Sequence, residues 1–202
     1  MDGTIRDASK VRPAGESSDE KLMVAFSHGS ADAFGELFSR YKQPLFGFFC
    51  RRVADRAQAE ELAQESFVAV IRASSRYQPS ALFRTYLYAI GLKLLRAHRR
   101  KAAFRASFLG APEDYREPTA QGDPEAELLL RQAVGKLESL DREILLLREF
   151  EELTYAEIAV VLNLPINTVR SRLFRARMAL RELLIVPAQS AGPELGGIEE
   201  RA

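Results

Sequence analysis

Four arginines, Arg170, Arg172, Arg175 and Arg177, fall within eight residues of the stretch NLPINTVRSRLFRAR, in a chain of 202 residues whose formal net charge is only +1. No acid stands between Glu157 and Glu182, while Arg181 adds a further base to the same gap. Solvated helix faces usually interleave acids with bases, so a one-signed run of this kind points to an anionic partner. A second such run lies upstream, where Ser66 to Pro112 holds nine Lys or Arg and no Asp or Glu. Other chemistry finds little support. Cys50 is the only cysteine and sits in the apolar context LFGFFCRRV, which excludes a disulfide framework or a CxxC metal site and reads as a small core residue. His28 and His98 are far apart, with no Cys, Asp or Glu at ligand spacing. Neither GxxxxGK[ST] nor GxGxxG occurs. The expectation is therefore no catalytic residue, no metal, no cofactor and no small-molecule substrate.

The elements that position the arginines are helices. In LTYAEIAVVL, Thr154 and Glu157 have the spacing of a capping box, and Ile158, Ala159, Val161 and Leu162 form the apolar face of a short helix. NLP then makes a tight turn, and a second helix starts at about Pro165. Two short helices joined in this way form a helix-turn-helix, which lays its second helix in the DNA major groove. At about 100° per residue, Val169, Leu173, Ala176 and Leu180 share the stripe that must pack inward. Arg170, Ser171, Phe174, Arg175, Met178 and Arg181 occupy the opposite side. Arginine there grips guanine edges bidentately or neutralises phosphates, and Phe174 suits a thymine methyl or a sugar. Arg172 and Arg177 lie at the flanks and suit backbone phosphates.

The remainder is helical in pattern too. Ser17 and Glu20 have capping-box spacing before a helix ending near Gly29. A second helix starts after Ser30, with Phe34, Leu37, Phe38, Tyr41, Leu45, Phe48 and Phe49 at helical spacing, and Pro44 is expected to kink it. Phe34, Phe38, Tyr41 and Phe49 read as core. Tyr77, Tyr86 and Tyr88 sit amid arginines, as the stacking aromatics of single-strand binders do. A third helix, AQAEELAQESFVAVIRA, turns Leu62, Ala63, Ser66 and Val70 one way and Gln64, Glu65 and Val68 the other. A fourth, basic helix follows the SSRYQPSA loop. GAPEDYREPTAQGD reads as a flexible connector, and Asp123-Pro124 opens a new helix whose pattern breaks around Glu138 to Leu140 and near Glu152. The fold class is thus all-α: two small helical domains, residues 19–101 and 125–186, joined by a flexible linker at 102–124, with disordered tails at 1–18 and 187–202. No apolar run approaches the roughly 20 residues of a membrane span, and the N-terminus lacks a signal segment, so no membrane insertion and a cytoplasmic location are expected.

Taken together, these motifs resemble a known family. AFGELFSRY, AEELAQESFVAVIRA, RYQP and FRTYLYAI stand where the extracytoplasmic-function RNA polymerase sigma factors, a group of the sigma-70 family, have the elements of their second conserved region. LREFEELTYAEIAVVLNLPINTVRSRLFRARMALREL follows the fourth region almost position by position. The resemblance implies binding to core RNA polymerase, recognition of the −35 and −10 promoter elements, and opening of the duplex, with no enzymatic activity of the chain's own. It implies contact with the clamp helices of the largest polymerase subunit through Glu61, Gln64, Glu65, Val68 and Ile71, and contact with the flap of the second-largest subunit. For the −10 element it implies Arg76, Tyr77, Gln78, Arg84, Tyr86, Lys93, Arg96, Arg99 and Arg100, the loop from Arg76 to Ala81 matching the one that captures a flipped base. For the −35 element it implies Arg148, Thr168, Arg170, Ser171, Arg172, Phe174, Arg175 and Arg177. The linker takes the place of a third region, and an anti-sigma protein is an expected partner.

Departures from the family pattern are Tyr86 for a usual Trp, IGLK for IARN, Ala97 for a frequent Asp, Asn163 and Asn167 for common glycines, and Glu138 for a common proline. Asn tolerates the turn conformations that glycine supplies. An alternative reading is a helix-turn-helix regulator of the response-regulator output type, not itself a polymerase subunit. It needs an alternating β/α receiver or a ligand pocket in residues 1–110, and the pattern there is helical. A third, an anion-binding enzyme, needs the phosphate loop that is missing.

Overall fold

The computed structural model describes residues 17–109 and 124–189, with side chains described over 17–105 and 128–185. Eight α-helices lie in these residues: α1 Asp19–Ser27, α2 Ala31–Cys50, α3 Arg56–Ala73, α4 Phe83–Leu109, α5 Pro124–Lys136, α6 Ser139–Glu149, α7 Tyr155–Leu162 and α8 Ile166–Gln189. A single 3-10 turn, Ser74–Arg76, follows α3. No strand occurs among the described residues, so the β/α receiver of the alternative reading is not present there. No helix among them is long and apolar enough to cross a membrane.

Helix boundaries follow local chemistry. Ser30 caps α2 by accepting from the Ala33 amide, and Asp55 caps α3 by accepting from Ala57. At α1 the cap is Ser18, whose hydroxyl accepts from the Lys21 amide at 3.3 Å, one residue later than the Ser17–Glu20 spacing predicts. Glu20 is drawn elsewhere: its carboxylate accepts the Phe83 amide at 2.8 Å and so satisfies an orphan donor at the start of α4. α2 continues as one helix through Pro44. The breaks expected near Glu138 and Glu152 are both present, the second as a left-handed residue at φ 52°.

In the first unit α1 to α4 close on Met23, Leu37, Leu45, Phe48, Phe49, Phe83, Leu87, Leu92 and Leu95, all at most 2% exposed. Phe49 is fully buried, whereas Phe38, on the same helix, is 41% exposed and lies edge-on to Phe67. Gly91 allows α4 to approach α2 closely, since a Cβ there would stand 3.3 Å from the Phe49 ring. This gives the Gly of IGLK a packing reason. In the second unit α6, α7 and α8 close on Ile144, Leu147, Leu153, Ile158, Val169 and Leu173.

Two larger features also differ from the sequence expectations. α4 extends to Leu109, so 102–109 is helical where a linker was expected to begin; the rest of that segment, apart from Pro124 at the start of α5, and most of both tails lie outside the described residues. The two units, expected to have unfixed spacing, pack together, α4 against α7, and their apolar cores are continuous.

Candidate nucleic-acid interface

Three residues set the two ends of α7, the first helix of the pair. The Thr154 hydroxyl accepts the Glu157 amide at 3.2 Å while the Glu157 carboxylate accepts the Thr154 amide at 2.9 Å, a reciprocal capping box that starts α7. Asn163 ends it in the left-handed conformation, φ 55° and ψ 53°. Thr154→Ala removes one half of the box and is expected to cost about 1 kcal/mol in urea unfolding. A change below about 0.3 kcal/mol would mean that water caps the helix as well as the hydroxyl does.

α8 has the two-sided character that its spacing predicts. Val169, Leu173 and Ala176 are at most 1% exposed and Leu180 is partly buried. Arg170, Ser171, Phe174, Arg175, Met178 and Arg181 face outward, Phe174 at 66% exposure. An aromatic ring left this open beside two arginines makes a surface ready for a polar, flat partner. The flanking bases are tied to the protein. Arg172 donates to Glu138 and Asp141 at 3.0 and 2.8 Å, and Arg177 to Glu149 at 2.6 Å. Arg148 donates to the Leu153 carbonyl at 2.9 Å and lies over the Tyr155 ring. Thr168 is half-buried, its carbonyl accepting from the Ser171 hydroxyl.

On the first unit, Arg76 and Gln78 are exposed in the turn after α3, and Lys93, Arg96 and Arg100 are exposed along α4. The four other candidates there have partners. Tyr77 packs edge-on to Tyr86 at 5.3 Å, and burial, with Glu20 nearby, pushes its hydroxyl up to about 12. Arg99 donates to the Arg52 carbonyl at 3.1 Å. Arg84 forks onto Glu157 at 2.6 and 2.7 Å, and the Thr85 hydroxyl donates to the same carboxylate at 3.1 Å. Burial pushes Glu157 upward, but hydrogen bonds from Arg84 and Thr154 outweigh it and hold the carboxyl below its ordinary range. Tyr88, grouped by sequence with the possible stacking residues, is 4% exposed and packs on Phe48.

On α3, Glu61, Gln64, Glu65, Val68 and Ile71 are all exposed, Val68 at 41% and Ile71 at 43%. Glu61, Gln64, Glu65 and Val68 border an open groove that Arg72, Arg76 and Leu94 also line. The opposite side of the helix is buried through Ala59, Leu62, Ala63, Ser66, Phe67 and Val70.

Sequence reasoning missed the junction of the units. Arg52, its side chain 1% exposed, donates to Glu143 at 2.8 Å and to Glu151 at 3.2 Å, and its guanidinium stacks 3.8 Å above the Phe48 ring. Arg51 donates to both oxygens of Glu151, at 3.0 and 3.1 Å, and lies over the Phe150 ring. The Arg51-Arg52 dipeptide was the only trace of this in the sequence, and nothing local pointed to partners about a hundred residues away.

Comparison with known proteins agrees with this geometry. Residues 37–105 match the family described as Sigma-70 region 2, and 127–180 match Sigma-70, region 4. The RNA polymerase sigma-H factor of Pseudomonas aeruginosa is 33% identical over 183 residues, covering 84% of this chain and 95% of that protein. The ECF RNA polymerase sigma-E factor of Haemophilus influenzae is 31% identical, covering 79% of this chain and 92% of its own length. Among solved structures, CnrH in complex with the cytosolic domain of CnrY superposes with a TM-score of 0.65 at 25% identity, over 84% of this chain and 99% of that one. With both conserved regions in order and near full-length relatives, the chain belongs to the extracytoplasmic-function sigma factors, the non-catalytic subunits that bind core RNA polymerase and direct promoter-specific initiation.

Proposed function

We propose that this sigma factor reads the −35 element with the outer face of α8 through Arg170, Ser171, Phe174 and Arg175, with Arg148, Thr168, Arg172 and Arg177 steadying that face or meeting the phosphates beside it. The observation that carries the proposal is the pairing of a buried Val169-Leu173-Ala176 stripe with an exposed, acid-free Arg and Phe face on one helix. The −10 element and the melted strand meet Arg76, Tyr77, Gln78, Tyr86, Lys93, Arg96, Arg99 and Arg100 on the first unit, together with Arg84 when it exchanges Glu157 for the nucleic acid. The α3 strip docks on the clamp helices of the largest polymerase subunit, and the second unit meets the flap of the second-largest. Because the solved relative CnrH is bound by the cytosolic domain of CnrY, an anti-sigma protein is a fitting partner. A cytoplasmic location follows from work on core polymerase.

Promoter-specific transcription with core polymerase and this chain tests the reading. Phe174→Ala and Arg175→Ala are each expected to weaken −35 recognition by about 1–3 kcal/mol while leaving the affinity for polymerase intact. Unchanged transcription from the cognate promoter in both variants would place the reading face elsewhere.

A further inference from the structure

Asp141, on α6, faces two arginines of α8. Its Oδ1 accepts from Arg172 Nη1 at 2.8 Å and lies 4.0 Å from Arg175 Nη2. The first arginine is fully engaged, since Arg172 also reaches Glu138 at 3.0 Å and its side chain is only 22% exposed. The second is not. A separation of 4.0 Å is too long for a hydrogen bond, and the Arg175 side chain is 59% exposed. A buried carboxylate therefore attracts Arg175 without filling its fork. Asp141 stands in the first turn of α6, where the positive end of the helix favours its charged form, and Arg172 holds that carboxylate in place. Arg170, the other arginine of the proposed reading face, instead meets the Asn167 amide oxygen at 3.5 Å on its own helix.

We propose that Asp141 is a positioning residue for promoter reading: anchored by Arg172, it aims the Arg175 guanidinium at a base edge and so sets the base preference at the position Arg175 meets. This rests on the reading of the outer face of α8 as the −35 surface. Direction matters because the planar fork of arginine satisfies the two acceptors of guanine from one approach only. A side chain already oriented loses less rotamer freedom on binding, which favours the matched base. The fixed negative charge also repels phosphate, and this penalises poses that bring backbone rather than a base edge to Arg175. Removing the charge should thus raise affinity for any duplex while lowering discrimination between duplexes. Simple destabilisation would lower both.

The test uses the full chain assembled with core polymerase and a promoter library randomised over the −35 element. Parent, Arg175→Ala, Asp141→Asn and Glu138→Gln are compared. Arg175→Ala identifies the position it reads, as the one whose base preference it flattens. There Asp141→Asn is expected to lose about threefold of the preference, out of the roughly tenfold or more that a bidentate arginine supplies. It should also bind a duplex without a −35 match roughly twofold more tightly. Glu138→Gln, which loosens Arg172 alone, should keep the preference. A preference kept in Asp141→Asn overturns the proposal and leaves the α8 reading standing, whereas a preference kept in Arg175→Ala sinks both. Equal losses in Glu138→Gln, or at every position in Asp141→Asn, would make the role a structural one and overturn the proposal. Should Asp141→Asn lose its helical circular dichroism, the parent chain decides: nitrogen relaxation of the arginine Nε–H groups must show Arg175 held more rigidly than Arg181, and equal mobility is an overturning result.

Discussion

Replacing Arg52 with alanine is expected to cost the packed two-unit state about 3–5 kcal/mol, the typical loss when one partner of a buried ion pair is removed. The guanidinium is 1% exposed, and the carboxylates it serves, Glu143 and Glu151, are 10% and 2% exposed. Glu151 would keep Arg51, but Glu143 would lose its charge partner and face the core unpaired. The loss of stacking over Phe48 adds to the effect. Because a domain of this kind holds only about 5–15 kcal/mol in total, the shift in urea midpoint should be large. Pairing Arg52→Met with Glu143→Leu removes both charges and should recover much of the loss. A midpoint for Arg52→Ala within error of the parent would show that the pairs are not buried in solution.

The second large effect is expected on α3, where DNA binding offers no test. Glu61, Gln64, Glu65, Val68 and Ile71 form an exposed strip of acidic and apolar character on a helix whose other face is packed. Such a strip is poorly suited to a polyanion and well suited to a basic protein surface. Gln64→Ala together with Glu65→Lys inverts the charge at its centre, and should weaken binding to core polymerase by about 2 kcal/mol or more, on the order of thirtyfold. The fold should tolerate it, since surface substitutions usually stay within about 0.5 kcal/mol. A competition assay for core polymerase, run beside a thermal melt, measures both. Undiminished affinity in a folded double variant would move the docking surface away from α3.

What the sequence made legible was local. Ser30, the Thr154–Glu157 box and Asn163 each act within four residues, and the Val169-Leu173-Ala176 stripe follows from helical period alone. The Ser17 cap missed by one residue because Glu20, free to complete a box in sequence terms, is taken by a distant amide on α4. Tyr88 misled for a related reason. The bases near it in sequence suggest a nucleic-acid surface, but in space it is buried against Phe48 and beside Glu151 of the junction. The same blindness hid the junction: Arg84 carries the same charge whether it awaits a phosphate or already holds Glu157, and only the fold distinguishes the two.

The junction also orders events during synthesis. Arg52 and Arg84 emerge long before Glu143, Glu151 and Glu157, with 91, 99 and 73 residues separating the bonded partners. At about 5–20 residues per second, the ribosome takes several seconds or more to cover that interval. During it the first unit can fold, since its cap on Phe83 comes from Glu20, already made. For those seconds Arg51, Arg52 and Arg84 lack the carboxylates they hold in the finished chain, close to ribosomal RNA, itself a dense array of phosphates. The junction's bases are thus all made before any of the acids that neutralise them has been translated.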